Sequence, residues 1–151
     1  MSTKYRGSQD EIRALSALIA LMRASEALST SLQREMAGER LTGSQFGILE
    51  VLLHLGPICQ GELAGKLLRS CGSMTSVVAG LEKKGLVERR RDGSDKRFVT
   101  VMLTGKGDKL IGGIFPEHAK VVTRQFGALT APEQDELRRL CRKLGKSIAQ
   151  G

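Results

Sequence analysis

Apolar residues recur at helical spacing through most of this chain and change to strand-like alternation over one short stretch, residues 86–103. Over residues 10–36, Ile12, Leu15, Leu18, Ile19, Met22, Leu28, Leu32 and Met36 form a broad stripe, with no Pro or Gly until Gly38. That stripe predicts one long helix, and a helix apolar along one side needs another helix to cover it. Ser8 or Gln9 is placed to cap its start. Thr42 and Gln45 then form a capping-box signature. Phe46, Leu49, Val51, Leu52 and Leu53 follow, so the second helix is expected to be buried, and Gly56-Pro57 ends it. Ile58-Cys59 reads as a short strand able to pair with a later hairpin, and Gln60 as a weak N-cap for the next helix.

Residues 61–68 and 73–84 read as two short amphipathic helices joined by a tight turn. Leu63, Leu67 and Leu68 mark the first, and Met74, Val77, Val78 and Leu81 form one stripe along the second. Gly85 stops the second helix, with Lys83 and Lys84 in its last turn, where the helix dipole favours cations. Its other face carries Ser73, Thr75, Ser76, Ala79, Gly80 and Lys83, a surface without bulk that can approach another closely. Leu86 and Val87 open a strand, Phe98, Val99, Val101 and Leu103 make a second, and Asp92-Gly93 is the turn signal between them. The hairpin tip gathers Arg89, Arg90, Arg91, Lys96 and Arg97 against Asp92 and Asp95.

Beyond the hairpin, Thr104 is placed to cap a helix running to residue 126, with Leu110, Ile111, Ile114, Phe115, His118, Val121 and Val122 on one stripe. Pro116 removes a backbone donor inside it and should bend it near Gly112-Gly113 or soon after. Thr130 and Glu133 give a second capping box, with Pro132 in the first turn. Leu137, Leu140, Cys141, Leu144 and Ile148 line the final helix, to about residue 149. The terminal helices are thus apolar on one side and distant in sequence, and are expected to cover each other within one chain or across a dimer.

Composition narrows the chemistry. The chain has 151 residues and a net charge of +8, which favours a polyanionic partner. Aromatics are 3% with no Trp, too few for the stacking platforms that grip single strands. Cys59, Cys71 and Cys141 are odd in number and include no CxxC, which argues against a disulfide framework or a zinc site. Cys71, near Arg69 at a helix start, is a candidate redox switch, although a small residue tolerated in a turn is the simpler reading. His54 and His118 have no Cys, Asp or Glu at metal-ligand spacing and read as packing residues. No Ser–His–acid or Cys–His pattern supports nucleophilic catalysis, so neither enzyme activity nor a metal or cofactor is expected. No apolar run reaches the length of a membrane span, and a reducing cytoplasm is the expected compartment.

A small-residue helix beside a basic ribbon is what a reader of double-stranded DNA needs. The helix enters the major groove, about 12 Å wide, and the ribbon meets phosphates or the minor groove. Ser73, Thr75 and Ser76 are the candidates for base-edge or phosphate contacts, and Arg69 and Lys83 for phosphates. Each could equally be an ordinary solvated residue, and the decision rests on what surrounds them. The surroundings are Leu41-Thr42, Gln45-Phe46, Ile48-Leu49, Gly56, Glu62-Leu63-Ala64, Leu67, Gly72, Met74-Thr75, Val77-Val78, Leu81-Glu82, Lys84-Gly85-Leu86-Val87, Arg89, Asp92, Asp95-Lys96-Arg97, Leu103-Thr104 and Gly107. In order and spacing they resemble the MarR family of winged helix-turn-helix regulators.

The resemblance implies a mainly α protein with a small β-hairpin wing. Residues 41–104 would be the DNA-binding lobe, and 1–40 with 105–151 a helical dimerisation lobe. In that family the Arg matching Arg97 enters the minor groove, and the acid matching Asp95 helps hold the wing. Arg90, Arg91 and Lys96 complete the expected DNA-contacting set. A homodimer carries two reading heads to a palindrome-like site with half-sites about 34–36 Å apart. The family commonly represses until a small aromatic or phenolic ligand binds between the lobes; Leu15, Ile19, Phe46, Phe115 and His118 are the candidate lining. Its peroxide sensors carry a cysteine in the first helix, and none stands there in this sequence. The competing reading is a redox-responsive regulator or a protein-binding module that uses the same fold without specific DNA reading.

Overall fold

The computed structural model describes residues 4–35, 38, 40–67, 71–91, 93, 95 and 98–149, with the backbone alone at Cys71 and Ala149. The described elements are α1 (Gln9–Glu35), α2 (Gly43–Leu55), β1 (Ile58–Cys59), α3 (Gln60–Lys66), α4 (Cys71–Lys83), β2 (Val87–Arg91), β3 (Val99–Leu103), α5 (Gly105–Phe126) and α6 (Ala131–Ala149). Helices dominate, and the strands form one antiparallel sheet in the order β1-β3-β2.

The chain divides into two compact units, Met1–Pro116 and Glu117–Gly151. The division falls within α5 at Pro116, the residue that lacks the N–H needed for the helix ladder.

The first unit is built on locally specified helix ends. Ser8 caps α1: its Oγ accepts from the Glu11 N–H at 3.2 Å, and Glu11 Oε2 accepts from the Ser8 N–H at 2.7 Å. Thr42 and Gln45 close the expected capping box on α2, with both bonds at 3.1 Å. Gly56 ends α2 at φ 72°, in the left-handed region where a side chain is strained. Phe46, Ile48, Leu49 and Leu52 from α2 pack with Leu63, Ala64, Met74, Val78, Leu81, Leu86, Val87, Val101 and Ile111 into one buried core. Met74, Val78 and Leu81 are fully buried, as the helical stripe predicts.

The sheet ties this core to the hairpin. Val101 pairs with Ile58 of β1 and with Arg89 of β2. The start of α3 differs from the expectation by one residue. Gln60 is the first helical residue, and Cys59 occupies the N-cap position at φ −62°, ψ 139°, with no side-chain cap bond. Pairing of Cys59 with Thr100 keeps that residue extended, so the helix cannot begin sooner. A thiol is a poor acceptor for the free N–H groups of the first turn. Cys59→Ser is therefore expected to stabilise the protein by about 0.5–1 kcal/mol. Thermal unfolding checks this, and an unchanged or lowered Tm would show that the new oxygen makes no cap.

Residues 84–86 and 104–107 form a tight clasp between α4, the sheet and α5. Gly85 turns at φ 70°. Leu86 O accepts from the Thr104 N–H at 3.1 Å. Thr104 Oγ1 donates to Gly85 O at 2.6 Å and accepts from the Gly107 N–H at 3.1 Å, which makes it the cap of α5. Lys106 Nζ donates to Lys84 O at 2.9 Å, satisfying a carbonyl just beyond α4. A Cβ on Gly107 would lie 1.9 Å from Leu86 O, so α5 sits directly on the Leu86 backbone.

In the second unit, Glu133 Oε2 accepts from the Thr130 N–H at 2.7 Å and from its hydroxyl at 2.9 Å, one arm of the expected box. Gln134 Nε2 donates to Phe126 O and Leu129 O, each at 3.1 Å, closing the end of α5.

Among the described residues, large apolar side chains remain exposed on both α1 and α6. No residue of α1 is buried, and Leu18 and Met22 are 52% and 62% exposed. On α6, Leu137, Leu140, Leu144 and Ile148 are all exposed. Among the described residues no helix is long and apolar enough to cross a membrane.

Candidate nucleic-acid interface

The outer face of α4 is set by the residues beneath it. With Met74, Val78 and Leu81 locked into the core, helical geometry turns Ser73, Thr75 and Ser76 outward, and all three are exposed. Lys83 is exposed at the end of the helix. Gly80 keeps the flank thin: a Cβ there would meet Gln45 Nε2 at 3.4 Å. Gln60 Nε2, at the start of α3, donates to Thr75 Oγ1 at 2.9 Å.

Beside α4 runs the cationic strand β2. Arg90 is 70% exposed and its Nη2 lies 2.8 Å from Glu88 Oε1. Arg91 is exposed at the end of the paired strand, opposite Val99. Strand alternation puts Arg91 on the same face as Arg89 and puts Arg90 with Glu88 on the other.

Arg89 does not belong to the hairpin tip, where its neighbours in sequence had grouped it. It sits mid-strand opposite Val101 and forks onto Glu82 of α4, with Nε to Oε2 at 3.1 Å and Nη2 to Oε1 at 3.0 Å. This bidentate pair pins the root of the hairpin to the outward-facing helix. The hydrogen bond from Arg89 holds the Glu82 carboxyl below its ordinary range, and the same bond raises the Arg89 guanidinium.

Both partners of that pair are about a third exposed or more, so it is worth no more than about 0–1 kcal/mol. A lowered folded-state value means the contribution is present above the unfolded pKa and fades as pH falls through the folded one. The wild type should therefore be slightly more stable than Glu82→Gln at neutral pH. The gap should close as pH drops below the ordinary glutamate value of about 4.3. Denaturant melts at both pH values test this; a gap that widens in acid would contradict it.

Lys84 is a structural cation. Its Nζ donates to Arg40 O at 2.7 Å and to Gln45 Oε1 at 3.1 Å, tying the end of α4 to the approach to α2. The Asp95 carbonyl accepts from the Phe98 N–H at 3.2 Å, just before β3. Arg69, Lys96 and Arg97 lie outside the described residues, as does the side chain of Cys71.

The candidate ligand-lining residues fall in different settings. Leu15 and Ile19 are half-buried on α1. Phe46 is part of the core, and Phe115 packs against that core. The Phe115 ring stands edge-on to His54, with centroids 4.9 Å apart at 78°, a pairing that the sequence did not suggest. His118 is half-buried on the part of α5 that belongs to the second unit. Among the described residues no three His, Cys, Asp or Glu side chains gather where they could hold a metal ion.

Comparison with known proteins bears on this geometry. The sequence model of the MarR family matches residues 41–99. The HTH-type transcriptional regulator YkoM of Bacillus subtilis (strain 168) is 32% identical over 139 residues, covering 91% of this chain and 90% of the relative. The crystal structure of AbsC, a MarR family transcriptional regulator from Streptomyces coelicolor, has the same fold. Its TM-score is 0.83 at 21% identity, over 97% of this chain and 100% of that one. The crystal structure of NadR in complex with 4-hydroxyphenylacetate matches with a TM-score of 0.75 and 27% identity, over 97% of this chain and 99% of that one.

Proposed function

Because the chain belongs to the MarR family of transcriptional regulators, we propose that it reads specific double-stranded DNA sequences as a homodimer and acts as a repressor released by a small phenolic ligand. The observation that carries the DNA reading is the outer face of α4. Ser73, Thr75 and Ser76 stand exposed over a fully buried stripe, with the cations of β2 alongside. Short hydroxyl side chains let the helix backbone come close to base edges in the major groove. Arg90, Arg91 and Lys83 supply charge for phosphates, and the Arg89–Glu82 pair fixes the angle between hairpin and helix. Arg69, Lys96 and Arg97 join this set by their place in the family motif, with Arg97 in the minor groove and Asp95 supporting the wing.

The dimer is supported by the uncovered stripes of α1 and α6. Exposed leucines at helical spacing on both terminal helices are unfavourable in water and are relieved by a second copy. Residues 1–40 and 105–151 then serve dimerisation, and 41–104 serve DNA. Two heads related by a two-fold axis read a palindrome-like site. The phenolic effector class is taken from the 4-hydroxyphenylacetate bound by NadR. Leu15, Ile19, Phe46, Phe115 and His118 are the residues assigned to it. To release DNA, the ligand has to prefer the head spacing that DNA does not.

A gel shift of the chain's own upstream region against a scrambled duplex, repeated across a salt series, tests the DNA reading. The expected outcome is a steep salt dependence for both duplexes and a specificity ratio of about 10³ or more for the native one. A ratio near one would leave a basic module without sequence preference.

A further inference from the structure

The amide of Gln60 has two ends in different circumstances. Nε2 donates to Thr75 Oγ1 at 2.9 Å, bridging the first residue of α3 and the outward face of α4. Oε1 is closed off from solvent and has no hydrogen-bond partner among the described residues. A buried amide oxygen without a donor costs stability, so Leu or Met would serve this position better if packing were its whole role. The bond to Thr75 is what the amide supplies.

Threonine in a helix divides between two χ1 rotamers, and the place that the hydroxyl holds in one is taken by the methyl in the other. The two groups read different features of a base pair: the hydroxyl finds donors and acceptors, and the methyl finds the thymine methyl. A bond that fixes Oγ1 also fixes the methyl. We infer that Gln60 is a specificity-determining positioning residue, which selects the rotamer of Thr75 and thereby decides which of its two groups meets the base edge. The inference rests on the reading that α4 enters the major groove. Gln60 itself touches no base.

The test selects bound duplexes from a random pool with the wild type, Gln60→Met, Thr75→Val and the double variant. Each is also measured for Tm and for affinity to scrambled duplex. Gln60→Met should keep or raise the Tm and bind scrambled duplex as the wild type does. Its discrimination at the base pairs under Thr75 should fall by about 5- to 10-fold. The double variant should discriminate no worse than Thr75→Val alone, because Gln60 acts through Thr75.

A purely structural role would instead lower the Tm and leave base preference unchanged. Folded Gln60→Met with wild-type preferences, or losses that multiply in the double variant, would overturn the inference. Should Gln60→Met fail to fold, Gln60→Ala is read in the same way. A wild type that prefers no duplex would remove the DNA reading itself, and this inference with it. A wild type that does discriminate isolates the question to Gln60.

Discussion

Gly107→Ala should destabilise the protein by about 3 kcal/mol, a large part of the stability of a domain this size. The added methyl would lie 1.9 Å from Leu86 O and 2.8 Å from Leu86 C, and both are backbone atoms. No side chain can rotate away to make room. Leu86 is held by its buried side chain and by the bond from the Thr104 N–H to its carbonyl. Relief requires α5 to lift off the strand, which would open the clasp of Gly85, Thr104 and Lys106.

The same substitution in the same helix gives the control. A Cβ on Gly112 meets nothing within 4 Å, so Gly112→Ala should gain about 0.5–1 kcal/mol from helix propensity. Urea melts of the two variants should therefore move in opposite directions. Equal shifts would mean that α5 does not sit on Leu86 as described.

Arg97→Ala should weaken binding to the preferred DNA site by about 1–3 kcal/mol while leaving the melting curve in place. The argument is one of position and charge. On the proposed DNA reading Arg97 is the minor-groove arginine of the family motif, and in sequence it precedes Phe98, which stands exposed in front of β3. A narrow minor groove concentrates negative potential, so one guanidinium there does more than one on an open surface. Binding has to be compared at matched salt, because loss of a cation alone lowers affinity for any duplex. A loss confined to the preferred site supports groove insertion. A uniform loss across sequences would make Arg97 a phosphate contact, and unaltered affinity would remove it from the interface.

What the sequence made legible was mostly what short range decides. The Thr42–Gln45 box and the Met74–Leu81 stripe depend on residues three to seven apart, and both form as read. Because that stripe fixes the rotation of α4, the exposure of Ser73, Thr75 and Ser76 followed from periodicity alone. The short strand at Ile58-Cys59 was legible too, yet α3 follows it directly, so Cys59 rather than Gln60 is the N-cap, which no local signal marks.

The Arg89–Glu82 fork escaped for a similar reason. Seven residues separate the partners across a helix end and a turn, so only the packed structure brings them together. Arg89 looked like one more cation in a basic run. Gly107 was read only as one residue of the family motif, and its necessity appears only when Leu86 is laid against it. Gln60 was read as a weak cap, although its side chain serves Thr75 fifteen residues away.

The most direct measurement is selection of bound duplexes from a random pool by the full chain, with the stoichiometry of the selected complex determined in solution. Two copies of the chain on one duplex, enriched for an inverted repeat with half-sites about 34–36 Å apart, is the predicted result. A pool that stays random at low ionic strength, or enrichment of a single half-site by one copy, would contradict it.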